Sequence, residues 1–401
     1  MLWITLNIFK KDSLDMQGYL VTLLTFILMT IVVGKIYILA WNKSYGQKIT
    51  PAGFGVLLPI MLLIFSILNP EILANSILNF SIILFAGLIY LLDDLKGLNH
   101  LLRISIAFLF GAILFLIEGL SENHSNLYLL ALIIFFGVIS VGLTNMMNFY
   151  DGADLNLASI VLITGIILFS YTTPENLTMK NVGIMMSAFG LGFGFFNIKP
   201  KTLYMGDAGS FVVALFFLYL IINFVTFKES VPLELIAVLT LPFFDVFYVM
   251  LIRVYFKHDM LSRNYLHLYQ RIYLRYKRLY HLLPLLINVF AVIYIAKLIE
   301  MHSIEKIWAL LIAGSLFTPI FYIICRFLFV DKSYFFGAGE RKFIESNDNS
   351  VKEEIIYEKN SYELMFSRSR SDWMKIQKNR LDKLQQVTDA MQRLGKHAGF
   401  K

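Results

Sequence analysis

Long apolar runs separated by short polar stretches set the pattern of this chain. Runs of spanning length lie near 17–40, 52–68, 72–92, 101–118, 127–147, 155–172, 181–198, 209–227, 233–256, 283–299 and 306–330. Apolar residues within each run are continuous rather than alternating. That pattern predicts helices and rejects a membrane barrel, whose strands alternate apolar and polar positions. About eleven transmembrane helices follow, several of them near the short limit for crossing a ~30 Å hydrocarbon core. The predicted fold class is all-α, a polytopic integral membrane protein. After residue 330 the pattern stops, dividing the chain into a membrane domain (1–330) and a charged tail (331–401). The tail holds 14 of the 35 basic and 11 of the 28 acidic residues, too many charges to span a bilayer. Within it Trp373, Ile376, Leu381, Leu384, Val387 and Met391 follow helical spacing, which predicts an amphipathic helix lying on the membrane or on a partner.

Composition agrees with the membrane assignment: 58% of the 401 residues are hydrophobic and 16% are charged, with a mean hydropathy of +0.67. No soluble globule has this balance. Lys and Arg in the short connections set the orientation. Lys43, Lys48, Lys96, Arg103, Lys199 and Lys201 fall on one side, together with seven basic residues between Arg253 and Arg278. The other side carries only Lys10, Lys11, Lys180, Lys228 and Lys306. The expected arrangement puts the amino terminus outside and the tail in the cytoplasm. The first apolar run is followed by no cleavage pattern, so it reads as a retained span. The net charge of +7 is concentrated in residues 253–282, where seven basic residues face one acid, Asp259. This loop suits anionic lipid or an anionic substrate. No recognition module accompanies it, which excludes nucleic acid as a partner. The single cysteine, Cys325, excludes a disulfide framework and a thiolate metal site. No internal repeat emerges, which counts against an inverted-repeat transporter.

Candidate chemistry lies where the apolar runs end. Asn145, Asn148, Asp151 and Asp154 recur every three residues, so they share one face of a helix end, where amides and carboxylates can meet a cation and a phosphate. The adjacent pair Asp93-Asp94 needs burial, a bound cation or a shared proton to exist at a membrane surface. Lys96 and Arg103 lie near enough in sequence to neutralise that pair or to bind phosphate. Asp207, between Gly206 and Gly209 at a helix start, suits a hard cation. Asp245 interrupts a hydrophobic helix, where an acid is costly; it is a functional candidate or the partner of Arg253, eight residues on. His267 stands with Arg263, Gln270 and Arg271, a set fit for diphosphate recognition. The expected topology puts all of these on the cytoplasmic side. A cation-coupled transporter would instead place its acids near the midplane, and a non-catalytic lipid-binding protein is the other reading that these residues admit.

Taken in order, Asp93-Asp94, Asn145-x-x-Asn148-x-x-Asp151-Gly-x-Asp154, Gly206-Asp207-x-Gly-Ser210, Pro242-x-x-Asp245 and His267 resemble the polyprenyl-phosphate N-acetylhexosamine-1-phosphate transferase family. The likeness covers roughly residues 17–330. It implies ten or eleven helices around a cytoplasm-facing cleft in the bacterial inner membrane. It also implies transfer of a phosphosugar from a UDP-N-acetylhexosamine to undecaprenyl phosphate, releasing UMP, with Mg²⁺ or Mn²⁺ as cofactor. Asp151 and Asp207 would then be metal ligands, and Asp93 and Asp94 would prepare the acceptor phosphate. Asn145, Asn148 and the catalytic candidate Asp154 would shape the nucleotide side, with Lys96, Arg103, Arg263, His267, Gln270 and Arg271 binding substrate. A homodimer is compatible with the sequence. Two departures stand out: Leu155 replaces the usual Gly after Asp154, and a lone His267 replaces a histidine cluster. The second favours an initiating enzyme of envelope polysaccharide synthesis, such as O-antigen, over the phospho-MurNAc-pentapeptide transferase branch.

Overall fold

A computed structural model describes residues 16–45, 50–68, 76–119, 126–172, 176–198, 202–225, 232–255, 266–276 and 279–329. Arg263 and the expected tail helix lie outside them. Each of the eleven apolar runs coincides with a helix: α1 (Met16–Tyr45), α2 (Leu57–Leu68), α3 (Ile77–Lys96), α4 (His100–Gly119), α5 (Asn126–Tyr150), α6 (Asn156–Tyr171), α7 (Leu177–Asn197), α8 (Gly206–Val225), α9 (Leu235–Tyr255), α11 (Leu283–Glu300) and α12 (Lys306–Phe329). A nine-residue helix, α10 (Leu268–Tyr276), lies between α9 and α11. Eight of the described helices are long and apolar enough to cross a membrane. The others differ for physical reasons. At 1.5 Å per residue, α2 and α6 reach only about 18 and 24 Å, and α7 mixes Lys180, Asn181 and several glycines into its apolar sequence.

Burial arranges these helices in rings. At the centre is α8, with 89% of its spanning stretch buried inside the protein, against 17% for α1. Helix α8 packs on α3, α4 and α5, while α6 pairs with α7, α1 with α7, and α9 with α11 and α12. Outward faces carry large apolar side chains, including Leu24, Leu28 and Val32 on α1, Phe85 and Leu92 on α3, Phe135 and Val138 on α5, and Phe290 on α11. In water such a belt would be prohibitive; in a bilayer it meets acyl chains. Glycines set the closest approaches. A Cβ on Gly165 would meet the Gly183 carbonyl at 2.5 Å, and one on Gly183 would meet the Gly165 carbonyl at 2.7 Å. The α6 and α7 backbones therefore touch directly.

Candidate active site

The site begins at the first turn of α8. Helix α8 starts with Gly206 at φ 80°, a left-handed conformation that favours glycine. A Cβ there would collide with the Asp94 carboxylate. The first N–H groups of a helix have no partner within the helix. Here the Asp207 N–H donates to Asp94 Oδ1 at 2.9 Å and the Ala208 N–H to Asp94 Oδ2 at 3.1 Å. Asp94, at the end of α3, thus caps α8 from 113 residues away. The turn before α2 completes the contact, since the Gly55 N–H donates to the Met205 carbonyl and the Tyr204 N–H to the Pro51 carbonyl.

Arg103 joins the acids. Its guanidinium lies 2.8 Å (Nη2) from Asp93 Oδ1, 2.7 Å (Nε) from Asp93 Oδ2 and 3.1 Å (Nη1) from Asp207 Oδ2. Asp93 also accepts the Leu98 N–H at 2.5 Å. Both acids are buried and the arginine is 24% exposed. The Tyr90 hydroxyl, donating to the Arg103 carbonyl at 2.8 Å, ties α3 to α4 at this level. Asp207 Oδ1 remains buried with no hydrogen-bond partner among the described residues.

Arg103 and Asp207 line a cavity of about 180 Å³ with His100, Ile104, Thr144, Asn145, Asn148, Phe149 and Phe211. The lining therefore combines charged and amide groups with apolar side chains. Asn145 and Asn148 share the cavity with Asp207, whereas Asp151 and Asp154, expected on the same helix face, are not in its lining. No group of three or more His, Cys, Asp or Glu converges among the described residues. Lys96 is exposed at the end of α3 and is also absent from the lining.

Asp154 lies elsewhere, 4% exposed, and accepts the Tyr273 hydroxyl of α10 at 2.7 Å. His281 Nε2 is 2.6 Å from the Asp154 carbonyl. Burial raises the Tyr273 hydroxyl above its ordinary pKa, and its hydrogen bond to Asp154 adds to the shift. The Tyr204 hydroxyl is raised by burial and by the charges of Asp154 and Asp151. Both phenols therefore stay protonated as donors. Leu155 adopts φ 64°, and its N–H donates to Asn197 Oδ1 at 2.6 Å. The backbone at this turn is the left-handed form that glycine adopts at least cost, and a leucine holds it.

A third cluster contains His267, 3% exposed, at the start of α10. Its Nδ1 lies 2.9 Å from Asp245 Oδ2. Asp245 Oδ1 accepts the Leu268 N–H at 2.9 Å and the Tyr322 hydroxyl at 2.5 Å. Asp245 is thus engaged by His267 rather than simply by its neighbour on the same helix. The imidazole is stacked 5.9 Å from Phe149 and 5.7 Å from Tyr269. Phe149, which also lines the cavity, joins this cluster to the first. The Tyr269 hydroxyl donates to the Phe149 carbonyl, and Gln270 Oε1 accepts the His267 N–H at 3.3 Å. Arg271 is half-buried on α10. Sequence reasoning passed over Tyr273, His281, Tyr322 and Arg326, which sit in stretches read only as a basic loop or an apolar run. The sequence offered for Arg326 only an arginine near the end of the last apolar run; its burial is what sets it apart.

Parts of the chain are similar to known proteins. Residues 76–225 match the Glycosyl transferase family 4 model. The chain is 32% identical over 200 residues to a phospho-N-acetylmuramoyl-pentapeptide-transferase of Thermotoga neapolitana, covering 42% of this chain and 63% of the relative. It is 31% identical over 151 residues to the protein of that name from Streptococcus agalactiae (32% and 44% covered) and 30% over 153 residues to that from Dictyoglomus thermophilum (34% and 48%). The aligned stretch spans 44% to 63% of the length of these three relatives. The stretch matched by the family model contains Asp93, Asp94, Arg103, Asn145, Asn148, Asp151, Asp154 and Asp207 and stops short of Asp245 and His267. Residues 76–225 therefore resemble a glycosyl transferase family 4 domain, within a multi-pass membrane chain similar over part of its length to phospho-N-acetylmuramoyl-pentapeptide-transferases.

Proposed function

We propose that this protein transfers a sugar 1-phosphate from a UDP-sugar to undecaprenyl phosphate, forming undecaprenyl-diphospho-sugar and UMP at the cytoplasmic face of the membrane. The observation that carries this reading is the cavity that Arg103, Asn145, Asn148 and Asp207 line together with apolar side chains, Asp207 Oδ1 having no hydrogen-bond partner among the described residues. Attack of one phosphate on another brings anions together, so the site must supply positive charge and fixed donors.

An oxygen of the acceptor phosphate forms a bond to the sugar-linked phosphorus. The diphosphate P–O bond to UMP breaks and its electron pair leaves with UMP. The acceptor is already ionised at neutral pH, so neutralisation matters more than proton removal. Arg103 presents a guanidinium held in place by Asp93 and Asp207, and the side-chain amides of Asn145 and Asn148 offer donors in the same cavity. The buried Asp207 Oδ1 and the oxygen-rich lining fit a hard divalent cation, which takes one or two carboxylates and retains several waters. Asp207 would hold Mg²⁺, which when bound supplies neutralisation of the reacting phosphates; Asp151, the other metal-ligand candidate, lies outside the cavity lining. His267 and Gln270, with Arg271 and Arg263, would hold the donor diphosphate.

For the donor, a UDP-N-acetylhexosamine such as UDP-GlcNAc is favoured by the lone His267 sequestered against Asp245, and the pathway would be initiation of an envelope polysaccharide. UDP-MurNAc-pentapeptide is the second reading, favoured by the names of the relatives. The test is UMP release by purified protein given undecaprenyl phosphate, Mg²⁺ and each donor in turn. Release with one donor, lost with EDTA and reduced at least about 100-fold by Asp207→Asn, supports the reading and identifies the sugar. Silence with every donor refutes it, and release that survives EDTA refutes the metal.

A further inference from the structure

The network behind His267 extends into the last described helix. On α12, Arg326 is fully buried, and its Nη1 donates to the Tyr322 hydroxyl at 3.0 Å and to the Leu266 carbonyl at 2.7 Å. Tyr322, also fully buried, donates its own proton to Asp245 Oδ1 at 2.5 Å, and Asp245 Oδ2 faces His267 Nδ1. The order is therefore guanidinium, phenol, carboxylate, imidazole, drawn from α12, α9 and the segment before α10. Arg326 additionally lies over the Tyr248 ring at 5.0 Å.

Stability alone is a poor account of this arrangement. Burying an arginine and an aspartate among membrane helices costs several kcal/mol per ion, and apolar residues of like volume are often no worse. Nor is the arginine fully satisfied, since its Nε and Nη2 have no hydrogen-bond partner among the described residues. What the network does achieve is geometric. The Leu266 carbonyl and the Leu268 N–H, on either side of His267, are held by Arg326 and Asp245. Asp245 accepts the Leu268 N–H and the Tyr322 hydroxyl and presents its other oxygen to the imidazole, an arrangement in which Nδ1 donates and Nε2 is kept for another partner. The ring is then stacked at a fixed place against Phe149, the residue it shares with the cavity.

We infer that Tyr322 and Arg326 are positioning residues, acting through Asp245 to fix the tautomer and placement of His267 for binding the donor diphosphate. This rests on the function proposed above. The test is a double-mutant cycle on the affinity of the full-length protein for UDP with Mg²⁺, read by calorimetry, with UMP release measured in parallel. Binding remains measurable where turnover is lost. Tyr322→Phe removes only the hydroxyl and should weaken UDP binding about tenfold, as expected for a hydrogen bond to a charged group. His267→Ala should weaken it comparably, and adding Tyr322→Phe in that background should cause no further loss. Arg326→Lys, which keeps the charge but replaces the planar guanidinium that sets Nη1 between both oxygens with a flexible ammonium, should follow Tyr322→Phe and replaces it if that variant does not fold. Unchanged affinity in both Tyr322→Phe and Arg326→Lys, or losses that add to that of His267→Ala, would overturn the inference while leaving an active wild type and the proposed function standing. A wild type that neither binds UDP nor releases UMP overturns both.

Discussion

Replacing Arg103 by alanine should destabilise the protein and disable the cavity together, through a single cause. In the native arrangement one guanidinium is shared by Asp93, whose side chain is 0% exposed, and Asp207, at 2%. Asp93 would keep the Leu98 N–H as a partner, whereas Asp207 Oδ2 would lose Arg103. Removing one member of a buried ion pair costs about 3–5 kcal/mol, because a buried charge is left uncompensated. Arg103 is itself 24% exposed, so water enters in its place and the lower end, about 3 kcal/mol, applies. That corresponds to roughly a 150-fold change in the folded-to-unfolded ratio. Lysine at this position keeps one charge but cannot fork across two carboxylates. Thermal unfolding in detergent should therefore rank wild type above Arg103→Lys and Arg103→Ala last. Adding Asp93→Asn to Arg103→Ala removes one of the stranded charges and should recover part of the loss. Arg103→Ala melting with the wild type, or no recovery in the double variant, would refute the electrostatic account.

Two further outcomes follow from backbone geometry. At Leu155, with φ 64°, Leu155→Gly should melt above Leu155→Ala by about 1 kcal/mol, the reverse of the order within a helix; equal melting of the two would show that the left-handed turn carries no strain. Asp94→Ala strips two acceptors from the start of α8 and should cost about 1–2 kcal/mol. Asp94→Asn, which retains one acceptor oxygen, should lose less in the same melting assay, and equal losses would deny the capping role.

Much of the fold was legible because continuous apolar runs leave a chain few alternatives in a membrane, and every run is a helix. The count of crossings was less legible. Helix length and the neighbours a run packs against decide whether it reaches across, and α6 and α7 pair through backbone contact that composition does not reveal. At the site, Asp93, Asp94, Arg103, Asn145, Asn148 and Asp207 announced themselves as polar groups at apolar borders, and they do meet or share one cavity. Their division of labour was hidden. Asp94 finds its partners 113 residues on, and Asp245 pairs with His267 across 22 residues rather than with a neighbour at helical spacing. Tertiary distance is what a linear pattern does not carry. Tyr322 and Arg326 were passed over for the opposite reason: one tyrosine and one arginine in a long apolar run look like the ordinary end of a span.

Because Asp94 supplies the acceptors for the α8 amides, the most buried helix of the bundle depends at its first turn on a residue made long before it. A nascent chain that has completed α3 carries two adjacent carboxylates with neither the α8 amides nor the full set of their ionic partners in place. Arg103 arrives with α4 and relieves one of them; the other waits through α5, α6 and α7 until Asp207 and Ala208 emerge. Assembly at this end of the bundle is therefore ordered by synthesis: the acidic pair is laid down first, and the late arrival of the central helix closes the pocket around it.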